Sequence, residues 1–459
     1  PVVHSIPATR NNNFRADGKN FNKQDQYLTS LVMNFRPTDN LSITSATGYY
    51  KIKYDACQNY ENSFAVILPS CNVYRNREFS QEINFNTNFE GPLNFTGGLY
   101  YSNVKAGTGS LTYLFGGQFP LLAPPGTPGL PNGLGGPTTP ALVNYYWFEM
   151  KGKAYSAFIE GTYAITDQLE LSGGVRYTKE KKRLPVVLDG GGVASGAGNP
   201  FLFNLVGVGT SDLLAVKVGT PNLVGATLLK DHDSWKDWSP EVTLSYRPNS
   251  DLTLFTSYKH GFLSGSFNSS SVNLAASNVD LSYKPQTIKG AEVGVKTRMG
   301  NVLFNAAAYT YKLNDLQVVN FTNATSSIRN AAKAEIKGFE ADVTWRTPLH
   351  GLTLNGAMAY NKSKYKSFPG APCYNGQSAA EGCVGGTQEL GGNVVPRSPK
   401  WNMQAGINYD TSVGDSLKLG LTGGLNHSSS YLTDASNAPG SSQRAYTMLD
   451  GTIPFGAED

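Results

Sequence analysis

Apolar and polar positions alternate with a period of two along most of this chain, as expected of strands with one face buried in apolar surroundings. In "LKLGLTGGL", Leu417, Leu419, Leu421 and Leu425 fall on one face and Lys418, Gly420, Thr422 and Gly424 on the other. In "LELSGGVRY", Leu169, Leu171, Val175 and Tyr177 oppose Glu170, Ser172 and Arg176. "WNMQAGINY" sets Trp401, Met403, Ala405, Ile407 and Tyr409 against Asn402, Gln404 and Asn408. In Ser245–Asn268, "SYRPNSDLTLFTSYKHGFLSGSFN", two such runs flank a tight polar turn. No helical period of comparable length competes. The pattern predicts about fifteen strands, beginning near Gln26, Leu41, Tyr74, Leu93, Tyr146, Leu169, Asp237, Leu252, Thr287, Val302, Ala332, Leu352, Pro399, Leu417 and Ala445.

The connections alternate in length. Short ones ("RPTDN", "EGP", "ITDQ", "RPNSD", "RMGN", "TPLHG", "TSVGD") are each followed, one strand later, by a long one. The long ones lie near 55–73, 106–145, 183–235, 263–285, 314–330, 367–397 and 429–443. Antiparallel neighbours place successive connections at opposite ends of a sheet. One end therefore carries tight turns and the other long loops, as in outer-membrane barrels.

Aromatic residues decide which solvent meets the apolar face. Strands running toward the short turns end in Phe35, Phe85, Tyr163, Tyr246, Trp345 or Tyr409 on that face. Strands leaving the turns start with Leu and reach Tyr eight positions later, as in Leu93 to Tyr101 and Leu352 to Tyr360. Eight residues of strand tilted by about 45° rise roughly 20 Å, close to the roughly 25 Å apolar band of a membrane barrel. Two rings of aromatics at that spacing match the girdles at the two membrane interfaces. A soluble sandwich or propeller core has no reason to hold Tyr at a fixed height on strand after strand. The apolar face, with Leu252, Leu254 and Tyr258, is therefore expected to meet lipid, while Thr253, Ser257 and Lys259 face a polar lumen.

Composition agrees. Of the 459 residues only 16% are charged, against about 25% in soluble domains, and 11% are aromatic. A net charge of +4 without a Lys/Arg run gives no reason to expect nucleic acid. No stretch reaches the roughly 18 apolar residues of a membrane helix, which a strand-built protein also lacks. The start at Pro1 and the abrupt end at "PFGAED" read as an internal piece of a longer protein.

At Trp238–Asn268 the pattern resembles the barrel of TonB-dependent outer-membrane receptors. "FSQEINFNTNFEGPLNFTGGLYY" (79–101), "SAFIEGTYAITDQLELSGGVRYTKEKK" (156–182), "GAEVGVKTRMGNVLFNAAAYTYKLNDLQV" (290–318), "IKGFEADVTWRT" (336–347) and "PRSPKWNMQAGINYD" (396–410) are similar to the family's strand–turn–strand units. "YKPQT" (283–287) departs from it: Gln286 stands where a glutamate is expected. The resemblance implies an all-β transmembrane antiparallel barrel, of which this chain supplies strands six to twenty of twenty-two. On this reading the N-terminal plug, the TonB box and the first and last strands are expected to lie outside this chain, and residues 1–24 to be the tail of an extracellular loop. It further implies a Gram-negative outer-membrane location and active uptake of a scarce ligand, most often a ferric siderophore or other iron complex, energised by the TonB system. Outer-membrane lipid and lipopolysaccharide would surround the wall. A passive porin is the alternative; an outer-membrane enzyme and a soluble propeller are weaker rivals.

The four cysteines form two pairs, Cys57/Cys71 and Cys373/Cys383, each placed within one long connection. In the oxidising compartment that the resemblance implies, they read as two loop-stapling disulfides. Metal binding is the competitor, but the spacings are not those of zinc sites and no His accompanies either pair. None of His4, His232, His260, His350 and His427 has a Ser, Asp or Glu partner at motif spacing, so no catalytic residue and no cofactor is expected. Ligand contact is expected in the long connections and upper lumen. Tyr145, Tyr146 and Trp147 of "NYYWF" are candidates, and equally the outer girdle of the strand beginning there. Lys259 and His260, near the loop end of their strand, are the other candidates. The connection 183–235 is apolar for a water-exposed segment and is expected to fold over the mouth or to carry hairpins.

Overall fold

The computed structural model describes residues 21–59, 69–116, 140–192, 230–268, 280–322, 325–330, 333–374, 376–414 and 417–457. Strands β1 (Phe21–Thr38), β2 (Leu41–Asn59), β3 (Pro69–Thr87), β4 (Leu93–Gly116), β5 (Pro140–Ala164), β6 (Leu169–Gly192), β7 (His232–Asn249) and β8 (Leu252–Leu263) pair in sequence order. A small ladder of β9 (Ser266–Phe267) with β10 (Ser282–Tyr283) interrupts the meander. The wall resumes with β11 (Gln286–Met299) and β12 (Val302–Asn314), followed by a hairpin of β13 (Gln317–Thr322) with β14 (Thr325–Asn330). β15 (Lys333–Arg346) and β16 (Leu352–Ser367) continue it; β17 (Ala371–Pro372) with β18 (Thr387–Gln388) forms a second small ladder. The wall then takes in β19 (Trp401–Val413) and β20 (Leu417–Ser428). After β21 (Tyr431–Leu432) with β22 (Ser442–Gln443), both β23 (Tyr446–Thr452) and β24 (Phe455–Ala457) pair with β20.

The wall is thus one antiparallel meander, and its strands are the fifteen read from the alternation, with β24 continuing β23 beyond Pro454. Among the described residues no ladder joins β23 back to β1. All 18 residues of β1 are exposed, as befits an edge strand.

Tight turns form where the sequence supplies the local chemistry. Asn249 Oδ1 accepts the Asp251 N–H at 3.0 Å, and Thr166 Oγ1 accepts the Leu169 N–H at 3.0 Å, closing two of them. Gly300 and Gly351 adopt φ of 59° and 79°, a region that costs residues with a Cβ. At Gly351 a Cβ would lie 1.8 Å from the Asp410 carbonyl oxygen, so no other residue fits there without backbone movement.

Register carries the faces from strand to strand, because directly paired residues point the same way. Between the two aromatic rings, the outward positions of β1 to β20 in the wall hold no Asp, Glu, Lys or Arg. Gln81 is polar on this face but satisfied: its Oε1 accepts from Thr47 Oγ1 at 2.6 Å and its Nε2 donates to Ser45 Oγ at 2.9 Å. The upper ring is packed: Tyr101 and Tyr155 centroids are 5.2 Å apart, Tyr177 and Trp238 4.7 Å, and Tyr360 and Trp401 4.8 Å. Facing the lumen instead are polar groups such as Arg176, whose Nε donates to Ser156 Oγ at 2.7 Å.

Several boundaries differ from the sequence reading. Much of 55–73, 106–145 and 183–235 is strand: β2 runs to Asn59, β3 starts at Pro69, β4 runs to Gly116 and β6 to Gly192. Above the membrane both faces meet water or loops, so the ladder continues after the apolar alternation has faded. Cys57 and Cys71 therefore sit opposite each other in the β2–β3 ladder rather than in an irregular loop; they are bonded, with Cα atoms 4.0 Å apart. Cys373 and Cys383 are also bonded, across a segment that includes the 3-10 turn Ala379–Glu381.

Candidate functional site

Above the upper aromatic ring, five buried residues form an apolar cluster inside the wall: Phe148 of β5, Leu184 of β6, Trp235 of β7, Phe267 of β9 and Leu281 just before β10. A one-residue slip between β5 and β6, where Glu149 pairs with Val186 but Lys151 with Arg183, frees Leu184 from the ladder. The β9–β10 ladder packs down onto these strands at Gly265. A Cβ there would lie 2.2 Å from the Tyr283 carbonyl and 2.7 Å from the Trp235 ring.

Polar groups fasten the ladder to the wall. Lys182 Nζ donates to Ser264 Oγ and to the Gly265 carbonyl, both at 2.8 Å, and Ser264 Oγ donates to Glu180 Oε2 at 2.6 Å. Lys182 also lies 5.6 Å from the centroid of the Trp235 ring. Burial pulls the Lys182 ammonium below its ordinary pKa, and Glu180 acts against that shift. The β13–β14 hairpin is tied in next: Asn268 Nδ2 donates to the Ile328 carbonyl at 3.1 Å and its Oδ1 accepts the Ile328 N–H at 2.6 Å. Gln317 Nε2 donates to the Ser264 carbonyl at 3.0 Å. Gln286, the residue that departs from the family pattern, accepts the Gln317 N–H through Oε1 at 2.8 Å. An amide oxygen thus holds this hairpin.

These elements enclose a cavity of about 420 Å³ lined by Tyr74, Phe148, Met150, Phe267, Tyr283 and Ile328, with Thr108, Ser266 and Asn268 as its polar members. Its size lies within the range of small-molecule sites, and so does its make-up of aromatic walls with a few hydrogen-bonding groups. Burial raises the Tyr283 phenol above its ordinary pKa, so at neutral pH it stays a neutral donor. Such a surface stacks on flat organic groups and hydrogen-bonds their oxygens.

The residues proposed from sequence stand elsewhere. Trp147 lies on the opposite side of β5 from Phe148, its ring against Gly107. Tyr145 and Tyr146 lie on the β5 backbone, and their side chains fall outside the described residues. Lys259 Nζ is 3.8 Å from Glu292 Oε2, and Glu292 Oε1 accepts from Tyr311 Oη at 2.5 Å. His260 Nε2 is 3.2 Å from Asp237 Oδ1, which belongs to a carboxylate that also accepts from Ser239 Oγ at 2.7 Å. Among the described side chains, Trp147, Lys259 and His260 do not line the cavity. Most of the connection 183–235, from 193 to 229, lies outside the described residues. Sequence reasoning missed Phe148 by one position within "NYYWF". It also missed Phe267 and Tyr283, whose signal was an aromatic on each side of the small-residue connection after β8.

A second buried cluster, with Val318, Tyr365, Phe368 and Leu390 at its centre, packs the connection after β16 against β13 and β16. Burial pushes the Tyr365 phenol up to about 12. Gln388 Nε2 ties this loop to its neighbour through the Ser436 carbonyl at 2.8 Å.

Solved outer-membrane receptors share this architecture. The ferric yersiniabactin uptake receptor FyuA of Yersinia pestis aligns at a TM-score of 0.65 and 15% identity, over 95% of this chain and 54% of its own. The siderophore receptor PiuA of Acinetobacter baumannii aligns at 0.62 and 16%, over 95% and 58%. BauA, the ferric preacinetobactin receptor of Acinetobacter baumannii, aligns at 0.59 and 15%, over 95% and 57%. The chain spans just over half the length of these relatives, and at such identity the likeness is one of fold. No curated protein sequence matches it. Residues 3–456 match the family described as TonB dependent receptor-like, β-barrel, and the chain is a member of that family, a wall of the outer-membrane β-barrel.

Proposed function

We propose that the protein is an outer-membrane receptor that takes up an organic metal chelate, a ferric siderophore being the favoured cargo, with TonB supplying the energy. The aromatic cavity beneath the β9–β10 and β13–β14 ladders carries this reading. Phe267 and Phe148 offer faces for a chelator's aromatic or apolar groups; Tyr283, Ser266 and Asn268 offer hydrogen bonds to its oxygens. The relatives named above, each a receptor for a siderophore or a ferric siderophore, lend support through shared fold. No step needs covalent chemistry: capture requires affinity alone. The passive-pore alternative draws no support from the family match.

The test uses the full-length protein in detergent and a panel of catecholate, hydroxamate and carboxylate ferric siderophores. One class is expected to bind with a Kd below about 1 μM, and Phe267→Ala is expected to weaken it at least tenfold. No binding by any member, or binding untouched by changes at Phe267 and Tyr283, would remove this cavity from the function.

A further inference from the structure

Register sorts charge between the two faces of the wall above the upper aromatic ring. Directly paired residues share a face, so Lys51, Arg77, Lys105 and Lys151 all point outward, in line with Tyr49, Phe79, Tyr101 and Tyr155 of that ring. The inward positions at the same height carry the opposite sign. Glu78 lies on β3, Glu180 on β6, and Asp233 and Asp237 on β7. Among the described residues of β2 to β7, Lys182 is the one cation on this inward face above the ring.

The aromatic cavity lies against this inward face. Tyr74 and Tyr283 are the only ionisable side chains among the described residues that line it. Both stay neutral at ordinary pH: burial raises the Tyr283 phenol, and burial, Tyr50 and the Glu78 carboxylate together raise that of Tyr74. Asn76 stands between Tyr74 and Glu78 on the same face of β3, paired with the cavity residue Ala106. Its Oδ1 is buried and has no hydrogen-bond partner among the described residues. The Lys182 ammonium is already taken up by Ser264, the Gly265 carbonyl and the Glu180 carboxylate, the last at 3.4 Å. Lys284 and Arg329 adjoin Tyr283 and Ile328 in the chain but do not line the cavity.

A buried charge is costly unless a group of opposite sign meets it. An anion in this cavity meets phenols, hydroxyls and aromatic faces, with carboxylates behind them. A neutral guest escapes that cost and keeps the stacking and the hydrogen bonds. We propose that the cavity selects an electroneutral ferric chelate of the trihydroxamate class over polyanionic catecholate and carboxylate chelates. Three singly charged hydroxamates balance ferric iron, whereas three doubly charged catecholates leave three negative charges. This selection rests on the reading of the cavity as the siderophore site and adds to it the charge of the cargo.

The test measures Kd for a series of ferric chelates on the full-length protein in detergent. Ferrichrome and N-acetyl ferrioxamine B are neutral; N-succinyl ferrioxamine B, ferric citrate and ferric enterobactin are anionic. A neutral chelate is expected to bind roughly tenfold or more tighter than any of the anions. Its Kd is expected to move less than about twofold between about 50 and 500 mM NaCl, since there is no ion pair to screen. Thr108→Lys sets a cation in the cavity wall and is expected to shift the ratio of neutral to trianionic affinity roughly tenfold toward the anion. Thr108→Gln, of similar reach without the charge, is expected to leave that ratio within about twofold of the parent. Tighter binding of an anionic chelate that falls in Phe267→Ala would overturn the charge selection and leave the cavity as the siderophore site. An unmoved ratio in Thr108→Lys, or a Kd for the preferred chelate that climbs about tenfold with salt, would overturn it too. Binding of no chelate, or binding untouched in Phe267→Ala, would remove the cavity reading itself and the selection with it.

Discussion

Tyr163 and Trp401 lie on one continuous cross-strand row, yet they belong to opposite aromatic rings. The row runs from Tyr163 through Leu171, Leu244, Thr256, Val293, Ala308, Phe339 and Tyr360 to Trp401. On β5 the upper ring is Tyr155, eight residues from Tyr163; on β19 the lower ring is Tyr409, eight residues from Trp401. A shift of eight residues over eight strand steps, at about 3.3 Å per residue and 4.8 Å per strand, tilts the strands by roughly 35°. That is the tilt of transmembrane barrels, and it follows from residue pairing alone.

Val242 lies on the outward face of β7 midway between Trp238 of the upper ring and Tyr246 of the lower, with Thr243 next to it on the other face. Val242→Arg is expected to cost about 2–4 kcal/mol in a bilayer, and Thr243→Arg less than about 1 kcal/mol, because only the first places a cation in hydrocarbon. Urea titration of the full-length protein folded into vesicles measures both. Equal costs would mean that the faces are assigned wrongly.

Fold class and faces were legible because a membrane imposes two simple regularities, a period of two and a fixed apolar height. Leu417 to Leu425 showed the first and Leu352 to Tyr360 the second. Above the membrane both regularities stop, and so did the reading. The extensions of β2 and β3 around Cys57 and Cys71 looked like loop because no apolar face marks them. The cavity was not legible because Phe148, Phe267 and Tyr283 come from three elements joined only by tertiary packing at Gly265 and Asn268.

Gln286 holds Gln317 by one hydrogen bond, worth about 0.5–1.5 kcal/mol. Gln286→Ala is expected to speed amide hydrogen exchange across β13–β14 about two- to tenfold while leaving the wall strands unchanged. Gln286→Glu keeps an acceptor and is expected to behave like the parent. Faster exchange in both variants would show that the amide group itself, rather than its oxygen, is needed.

Gly265 admits no Cβ without displacing Tyr283 or Trp235. Gly265→Val is expected to lift the β9–β10 ladder, open the cavity and shift the emission of Trp235 to longer wavelength. Siderophore affinity is expected to fall at least tenfold with the melting temperature of the wall nearly unchanged. Full affinity in this variant would place the ligand away from the ladder.

Each disulfide closes a short segment and is expected to stabilise it by about 2–3 kcal/mol in the chain-entropy model. Peptide mapping without reductant is expected to return the Cys57–Cys71 and Cys373–Cys383 links. Reduction is expected to raise proteolysis at 374–382 far more than at the ends of β2 and β3, where the ladder continues to hold the chain.

The most direct measurement is uptake of ⁵⁵Fe presented as the bound siderophore, in cells whose only receptor for it is the full-length protein, with TonB present or deleted. Saturable uptake that needs TonB and collapses in Phe267→Ala is expected. Uptake that rises linearly with concentration and continues without TonB would contradict the receptor reading and make the protein a passive pore.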